Sequence, residues 1–235
     1  MTDPLLTVIV VSWNTRELLR NCLASLARSV DLAAETIVVD NGSADGTLEM
    51  LAADFPAVRV IANAMNRGFA AANNQGLAAA HGRYFLLLNS DTVVAPDVLS
   101  RLCAFMETHP EAGASGPQLH NIDGTLQPSG RAFPTLFQAV TALLPMPRAL
   151  RKTLASPVER RDYTQVAMVD ELSGAALCLW RTAIEQVGGL DEDFFFLGED
   201  VDLCWRLHAA GWKIYYVPQA VVTHLWGGSR VRLSE

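Results

Sequence analysis

The most informative feature that this sequence lacks is a glycine-rich loop after its first hydrophobic segment. Thr7 to Val11 is a continuous β-branched run, which predicts a central strand. The loop that follows, SWNTRE, contains no glycine, whereas a dinucleotide-binding oxidoreductase would carry G-x-G-x-x-G there. This absence argues against an enzyme that transfers hydride to or from a dinucleotide.

Clustered cysteines and an excess of positive charge are also missing. Cys22, Cys103, Cys178 and Cys204 form neither a C-x-x-C pair nor a Cys/His cluster. Their spacing therefore suggests neither a zinc site nor a disulfide framework, and it indicates reduced thiols in a cytosolic protein. The 235 residues carry a formal net charge of −7, which argues against nucleic acid as the main partner.

No hydrophobic run reaches the ~20 residues that a membrane-spanning helix needs. The first residues, MTDPLL, lack the basic region that begins a signal peptide. We therefore expect a cytoplasmic protein. Residues 133–152 are apolar, interrupted by prolines and basic at their end, so they either cover the core or make peripheral contact with a membrane or a lipid tail.

Hydrophobic segments and helical patterns alternate through the first 90 or so residues. Such alternation with short connections predicts an α/β fold with a parallel sheet and right-handed crossovers. Asn14 and Glu17 fit a capping box at the start of the first helix, and Asp202 and Arg206 fit a helical salt bridge. The strands are expected at 7–11, 36–39, 58–62, 84–88, 113–115, 169–180, 213–217 and 220–223, and the main helices at 15–28, from 47, at 63–82, 96–109 and 200–210.

The fourth hydrophobic segment ends abruptly in polar residues. Tyr84 to Leu88 is uniformly apolar, as in a strand buried on both faces, and Asn89, Ser90 and Asp91 follow it. Open α/β sheets bind ligands at the carboxyl ends of their strands. A carboxylate there could join a divalent cation to a diphosphate, although these residues could also be only a turn before the next helix.

Other acidic and imidazole side chains follow predicted strands or begin helices. Asp40 could hold ribose hydroxyls or accept the ring N–H of a pyrimidine. His224 is a metal-ligand candidate beside Asp91, and nitrogen with oxygen suits Mn²⁺ somewhat better than Mg²⁺. Glu199 and Asp200 could supply a catalytic base, although acids at a helix N-terminus also serve as dipole partners.

A series of motifs in order links these candidates. VIVVSWN, VVDNGSADGT, NRGFAAANNQG, LLLNSDT, LSGAALCLWR, GLDEDFFFLGEDVDLCWRLHAAGW and VVTHLWGGS resemble the family 2 inverting glycosyltransferases of the GT-A fold, most closely their rhamnosyltransferase-type bacterial members. The resemblance runs from about Leu6 to Arg230. It implies one GT-A domain over 1–235, with a Rossmann-like, mostly parallel sheet flanked by helices. Residues 1–92 would form the nucleotide-binding half, and 93–235 the catalytic half with a smaller mixed acceptor-side subregion.

The resemblance also assigns roles to individual residues. Asp91 and His224 would bind the metal, with Asn89 replacing the first acid of the D-x-D motif. Asp200 would be the general base, with Glu199 beside it, while the acceptor would meet Gly174 and Trp180. The nucleotide sugar would contact Val11, Ser12, Trp13, Asn14, Asp40, Asn66, Arg67, Gly68, Asn89, Ser90 and Asp91.

The implied reaction is metal-dependent, with Mn²⁺ or Mg²⁺, and inverts the anomeric centre. The donor would be a dTDP- or UDP-sugar, with rhamnose suggested by the subgroup, and the acceptor a saccharide or lipid-linked saccharide on the way to cell-surface polysaccharide or glycolipid. The alternatives are transfer of another sugar (galactofuranose, hexose or N-acetylhexosamine), a nucleotidyltransferase, and a degenerate sugar-nucleotide-binding module. Retention of the four candidate groups Asp40, Asp91, Asp200 and His224 argues against degeneration.

Overall fold

The computed structural model describes residues 4–29, 32–133, 162–195 and 197–225. Within these residues, the strands are β1 (Leu6–Ser12), β2 (Ala34–Asp40), β3 (Arg59–Ala62), β4 (Tyr84–Asn89), β5 (Thr92–Val94), β6 (Ala112–His120), β7 (Leu126–Gln127), β8 (Gly130–Arg131), β9 (Ala167–Met168), β10 (Glu171–Leu172), β11 (Ala176–Trp180) and β12 (Lys213–His224). The helices are α1 (Arg16–Leu26), α2 (Thr47–Asp54), α3 (Phe69–Ala79), α4 (Val98–Thr108), α5 (Arg181–Val187) and α6 (Glu199–Ala209).

The first half has the predicted parallel arrangement. Its strands lie in the order β3-β2-β1-β4, and each neighbouring pair is parallel. Tyr84 to Leu88 in β4 is buried throughout, as its uninterrupted apolar sequence indicated. Four strands of this kind place their carboxyl ends along one edge of the sheet.

The second half extends the same sheet with strands of both directions. β11 lies antiparallel to β4, and the order continues through β6 and β12 to β5. β12 is parallel to β6 and antiparallel to β5, while β7 pairs with β6 and β9 with β12. β8 and β10 form a separate two-stranded ribbon. The α/β fold class is therefore confirmed, with its antiparallel strands concentrated in the second half.

Helices cover both faces of the sheet because each presents an apolar stripe. On one face, α1, α2 and α4 contribute Leu19, Met50 and Leu102 to the core. On the other face, α3, α5 and α6 contribute residues such as Ala72 and Leu203. The four cysteines are free thiols buried in these two layers.

Several local predictions need correction. The capping box is wrong, because α1 begins at Arg16 and Asn14 has a left-handed φ of 53°. Residues 63–68 precede α3 as a loop, since the helix starts only at Phe69. Of the later strands, β6 is longer than the predicted 113–115, and the two strands predicted after Gly211 are one strand, β12, with an irregularity between Val217 and Val221.

The helical salt bridge between Asp202 and Arg206 is confirmed at 2.7 Å. The apolar segment 133–152, with which we associated membrane contact, lies outside the described residues except for Phe133.

Candidate active site

Three loops meet at the carboxyl edge of the parallel strands. Ser12 at the end of β1 lies opposite Asp40 in β2, and Val11 lies opposite Asn89 in β4. β11 runs the other way, so its beginning comes to the same edge, where the N–H of Asn89 donates to the carbonyl of Ala175 at 3.0 Å. Residues far apart in sequence therefore surround one space.

That space is a cavity of about 330 Å³. Most of the predicted site residues line it, whereas Ser12, Asn14, Asp40 and Arg67 are not part of its lining. The predicted residues in the lining are Val11, Trp13, Asn66, Gly68, Asn89, Ser90, Asp91, Gly174, Glu199, Asp200 and His224.

A chain of hydroxyl groups ties the first loop to the loop after β4. The Thr15 hydroxyl lies 2.9 Å from that of Ser12 and 2.9 Å from that of Ser90. Asn14 joins the same loop to the one after β2, since its side-chain oxygen accepts from the N–H of Ala44 at 2.8 Å. Hydrogen bonds from the polar residues of SWNT thus join the loops after β1, β2 and β4, although the first of these loops contains no glycine.

Asn41 holds together the side of the cavity formed after β2. Its side-chain N–H donates to the Asn66 side chain at 2.7 Å and to the carbonyl of Gly68 at 3.1 Å. Its side-chain oxygen accepts from the N–H of Arg67 at 3.0 Å. Gly68 has a φ of +88°, and a Cβ there would come within 3.0 Å of Phe195, so this close approach requires glycine.

Asp40, the last residue of β2, is fully buried. One carboxylate oxygen, Oδ2, accepts from the N–H of Ser43 at 3.0 Å. The other, Oδ1, has no hydrogen-bond partner among the described residues. A buried carboxylate oxygen without a donor is costly, so this side chain is suited to accept an N–H from a ligand.

Asp91, directly before β5, and His224, at the end of β12, lie close to each other. β5 pairs with β12, so that His224 lies opposite Thr92, and the carbonyl of Asp91 accepts from the N–H of Leu225 at 2.9 Å. His224 Nε2 lies 3.3 Å from Asp91 Oδ1, and Asp91 is only 3% exposed. Within the described part of the chain, Asp91 Oδ1 and Asn89 Oδ1 are buried without a hydrogen-bond partner.

This set of donors fits a divalent cation. A carboxylate oxygen, an amide oxygen and an imidazole nitrogen are all ligands that Mn²⁺ accepts. Among the described residues, no group of three or more His, Cys, Asp or Glu side chains could hold a metal by itself. A cation here would therefore need further ligands, which the oxygens of a bound diphosphate could supply.

Two acidic side chains face the cavity from the N-terminus of α6. Asp200 Oδ2 accepts from the N–H of Gly174 at 2.9 Å, and Oδ1 accepts from the N–H of Val201 at 2.9 Å. Glu199 is 5% exposed, and its Oε2 has no hydrogen-bond partner among the described residues. Burial, together with the neighbouring Asp200 charge, raises the pKa of Glu199 to about 7.

Trp180 does not reach this cavity. Because β11 is antiparallel to β4, its last residue lies opposite Tyr84, at the far end of β4 from Asn89. The Trp180 ring packs against those of Tyr84 and Trp212, with centroids 6.0 and 5.7 Å away. The expected contact between Trp180 and an acceptor is therefore not supported, and its aromatic ring has a packing role.

The cavity also includes residues that sequence reasoning missed. Gln127, from β7, lies beside His224, and Phe195 covers Gly68. Among the described residues, Arg131 is the only Lys or Arg in the lining, and it lies 3.8 Å from the carboxylate of Glu171. Glu171 is buried, which raises its pKa despite Arg131.

Comparison with known proteins identifies the family. The sequence profile described as "Glycosyl transferase family 2" matches residues 7–157, more than half of the chain. The chain belongs to glycosyl transferase family 2. Membership sets aside the nucleotidyltransferase and dinucleotide oxidoreductase alternatives and supports glycosyltransferase activity.

Two relatives of this chain carry the names of different glycosyl-transferring enzymes. The chain is 33% identical to an N-acetylglucosaminyl-diphospho-decaprenol L-rhamnosyltransferase of Mycobacterium tuberculosis over 95% of its length and 76% of the relative's. It is 25% identical to a poly-beta-1,6-N-acetyl-D-glucosamine synthase of Staphylococcus aureus, over 92% of its length and 48% of that protein.

Solved structures confirm the GT-A glycosyltransferase fold. A mannosyltransferase from Pyrobaculum calidifontis, in complex with GDP-Man and Mn²⁺, matches with a TM-score of 0.67 and 21% identity over 95% of this chain. GalNAc-T7 with UDP, GalNAc and Mn²⁺ matches with a TM-score of 0.71 and 17% identity over 96%. The chain spans 57% and 44% of those two proteins, respectively.

In the part of the chain that the structure describes, none of the helices combines the length and apolar character that a membrane span requires.

Proposed function

We propose that this family 2 member is an inverting, metal-dependent glycosyltransferase. It would move a sugar, in the first place rhamnose, from a nucleoside diphosphate to a hydroxyl group of a lipid-linked saccharide in cell-surface polysaccharide synthesis. The observation that carries this proposal is that Asp91 and Asp200 line one cavity, with unpaired buried oxygens on the Asp91 side and an anchored carboxylate on the other.

On the donor side, the nucleobase of the sugar nucleotide would lie against the loops after β1 and β2. Trp13 lines the cavity and offers an apolar face, while Asp40 Oδ1 would accept the ring N–H of uracil or thymine. Asn66, Arg67 and Gly68, held by Asn41, would adjoin the ribose and phosphates. These contacts favour a UDP- or dTDP-sugar.

Asp91 and His224, with the side-chain oxygen of Asn89, would hold a divalent cation, either Mn²⁺ or Mg²⁺. When bound, such an ion supplies Lewis-acid stabilisation of the charge on a departing diphosphate. The protein's own contribution is to keep two ligands from adjacent strands at a fixed separation. The Mn²⁺ in complexes of the two structural neighbours supports this assignment.

Asp200 would act as the general base. The acceptor oxygen attacks the anomeric carbon from the face opposite the diphosphate, the bond from that carbon to the diphosphate oxygen breaks, and the hydroxyl proton passes to Asp200. The N–H groups of Gly174 and Val201 fix the carboxylate while leaving it further lone pairs for this proton. One displacement inverts the configuration at the anomeric carbon.

Rhamnose and a lipid-diphosphate-linked acceptor are proposed because the relative from Mycobacterium tuberculosis carries both in its name. Arg131, the cationic side chain in the lining, could meet an acceptor phosphate. We propose a cytoplasmic enzyme in peripheral contact with the inner face of the plasma membrane, where such an acceptor would be reached.

A panel of nucleotide sugars with Mn²⁺ and a short-chain polyprenyl-diphosphate N-acetylglucosamine acceptor tests the proposal. The product linkage, read by NMR, should be opposite in anomeric configuration to the donor, with dTDP-rhamnose turned over fastest. Retention of configuration would refute the single displacement, and preference for another donor would refute the choice of rhamnose. Failure to transfer any sugar would favour a degenerate binding module.

A further inference from the structure

His224 contacts two side chains through its two ring nitrogens. Nδ1 lies 2.7 Å from the side-chain oxygen of Gln127, and Nε2 lies 3.3 Å from Asp91 Oδ1. Gln127 is 5% exposed and lies on β7, directly after the turn that joins β6 to β7. None of our sequence reasoning gave this glutamine a role.

A chain of hydrogen bonds that begins at the protein surface determines whether the oxygen or the nitrogen of the Gln127 amide faces His224. Asp123 accepts from the hydroxyl and the N–H of Thr125, at 2.6 and 2.9 Å. These hydrogen bonds lower the pKa of Asp123, and the one from the hydroxyl has the largest effect. The Asp123 carboxylate therefore remains a hydrogen-bond acceptor. Since the Thr125 hydroxyl has given its one hydrogen to Asp123, it must accept from Asn121 Nδ2, 2.9 Å away.

The donors and acceptors between Asn121 and His224 are assigned in the same way, from the hydrogens that each group carries. Asn121 presents its oxygen to Gln127 Nε2 at 3.1 Å, so the oxygen of Gln127 is the atom that faces His224. An amide oxygen can only accept a hydrogen bond, so Nδ1 of the imidazole must carry the hydrogen. The neutral ring then has its lone pair on Nε2, directed towards Asp91.

This leaves two acceptors facing each other. Nε2 and Asp91 Oδ1 are 3.3 Å apart, and Asp91 Oδ1 has no hydrogen bond from any described residue. Two lone pairs at this distance repel unless a positive charge lies against both. The arrangement is therefore prepared for a cation before any cation is bound.

We propose that Gln127 is a positioning residue, anchored through Asn121 and Thr125 to Asp123, which holds His224 in the Nδ1-protonated tautomer and leaves Nε2 free for a divalent cation. The proposal rests on the proposed metal-dependent function for its purpose, but the tautomer itself can be observed without metal or substrate. Partners of this kind typically change metal affinity by about 10- to 100-fold when removed.

The first test uses the full chain labelled with ¹⁵N-histidine and free of metal. Long-range ¹H–¹⁵N NMR distinguishes the two neutral tautomers from each other and from the imidazolium ion. The His224 signals are assigned by their absence in His224→Gln. We expect the Nδ1–H tautomer in the wild type and its loss, in favour of Nε2–H or a mixture, in Gln127→Met. The Nε2–H tautomer in the wild type, or an unchanged tautomer in Gln127→Met, would overturn the proposal.

Gln118 provides a matched control. Its side chain also pairs with a histidine, His120, at 2.8 Å, but neither residue lines the cavity. Gln118→Met should therefore leave the His224 tautomer unchanged. Should Gln127→Met fail to fold, as judged by circular dichroism, Thr125→Val removes the surface anchor instead and should give a mixture of tautomers; a single unchanged tautomer there would contradict the relay.

The second test titrates the metal alone. The electron paramagnetic resonance signal of free Mn²⁺ reports binding of MnCl₂ to the full chain. Gln127→Met should weaken Mn²⁺ binding about 10- to 100-fold, and Gln118→Met should not weaken it. Equal Mn²⁺ affinity in the wild type and Gln127→Met would refute the role of Gln127. Absence of sugar transfer, by contrast, would refute the proposed function and leave the tautomer result standing.

Discussion

Asp200 is held in place by the backbone N–H of Gly174, which donates to its Oδ2 at 2.9 Å. A Cβ on residue 174 would lie 3.3 Å from Asp200 Cβ, closer than such atoms usually pack, and 3.4 Å from Oδ2. The glycine therefore lets β11 begin directly beneath the carboxylate. Residue 174 therefore positions the Asp200 carboxylate, in addition to any contact it makes with an acceptor.

Gly174→Ala should lower kcat by about 10- to 100-fold, because the added methyl group would move the Asp200 carboxylate away from the acceptor hydroxyl. The KM for the donor should change little, since the residues that we propose to contact the donor lie elsewhere in the cavity. Steady-state kinetics with varied donor, together with thermal unfolding to check the fold, measures this. A variant with wild-type kcat would show that the close contact has no functional role.

Asp200→Asn should reduce transfer by about a hundredfold to ten-thousandfold, because an amide cannot take the acceptor proton. The amide oxygen can still accept from Gly174, although the N–H of Val201 loses its acceptor. The contact between α6 and the loop before β11 is therefore retained, and nucleotide binding should survive. Asp202→Asn is the control on the same helix: it breaks the pair with Arg206 and should cost stability, but it should keep the rate. Near-normal turnover in Asp200→Asn would end its assignment as the base.

Asp91→Ala should weaken the dependence of nucleotide binding on Mn²⁺, because the proposed metal site loses its buried carboxylate. Isothermal titration calorimetry with UDP and dTDP, with and without Mn²⁺, should show the Mn²⁺-dependent gain in affinity falling by roughly tenfold or more. Asp97→Ala removes the same charge at an exposed position paired with Arg101 and should behave as the wild type. Equal gains in Asp91→Ala and the wild type would contradict metal binding at Asp91.

Glu199 should make stability depend on pH. Burial raises its pKa to about 7 from the ordinary glutamate value of 4.5, so the folded state holds a proton that the unfolded state releases. Its contribution to stability is complete below pH 4.5 and is lost as the pH rises through about 7. Between pH 5 and 8 the Tm of the wild type should fall by a few degrees relative to Glu199→Gln.

Thermal unfolding of both proteins across this range isolates the effect, because other titrating groups, including Glu171, are common to both. The same comparison with Glu192→Gln, at an exposed position, should show no difference in slope. Parallel Tm profiles for the wild type and Glu199→Gln would mean that Glu199 is already ionised in the folded protein.

The parts of the site that follow strands could be predicted from the sequence. Tyr84 to Leu88 marks a buried strand by composition alone, and Asp91 follows it within three residues, so local pattern and position were sufficient. Asp40 was predicted in the same way, from its place at the end of the second strand, and it lies there as the last residue of β2, buried and outside the cavity lining. In each case the information lies in a few consecutive residues.

Other contributions depend on strand direction and long-range pairing, which one sequence does not encode locally. Trp180 was expected near the acceptor, but β11 runs antiparallel to β4 and carries its last residue away from the cavity. Gln127 contacts His224, 97 positions later in the sequence, because β7 pairs with β6. The hydrogen-bond partners of the Asn41 side chain lie in the loop 63–68, which is separated from it in the sequence by α2 and β3.

The burial of all four cysteines has a practical consequence for experiments on this enzyme. Desolvation raises the pKa of the Cys22, Cys103 and Cys204 thiols to about 12 and that of Cys178 well above its usual range. Because the thiolate is the reactive form, maleimide reagents should leave the folded native chain unmodified. A single cysteine introduced at the rim of the cavity would then carry a fluorescent or spin label alone, without prior removal of the natural thiols.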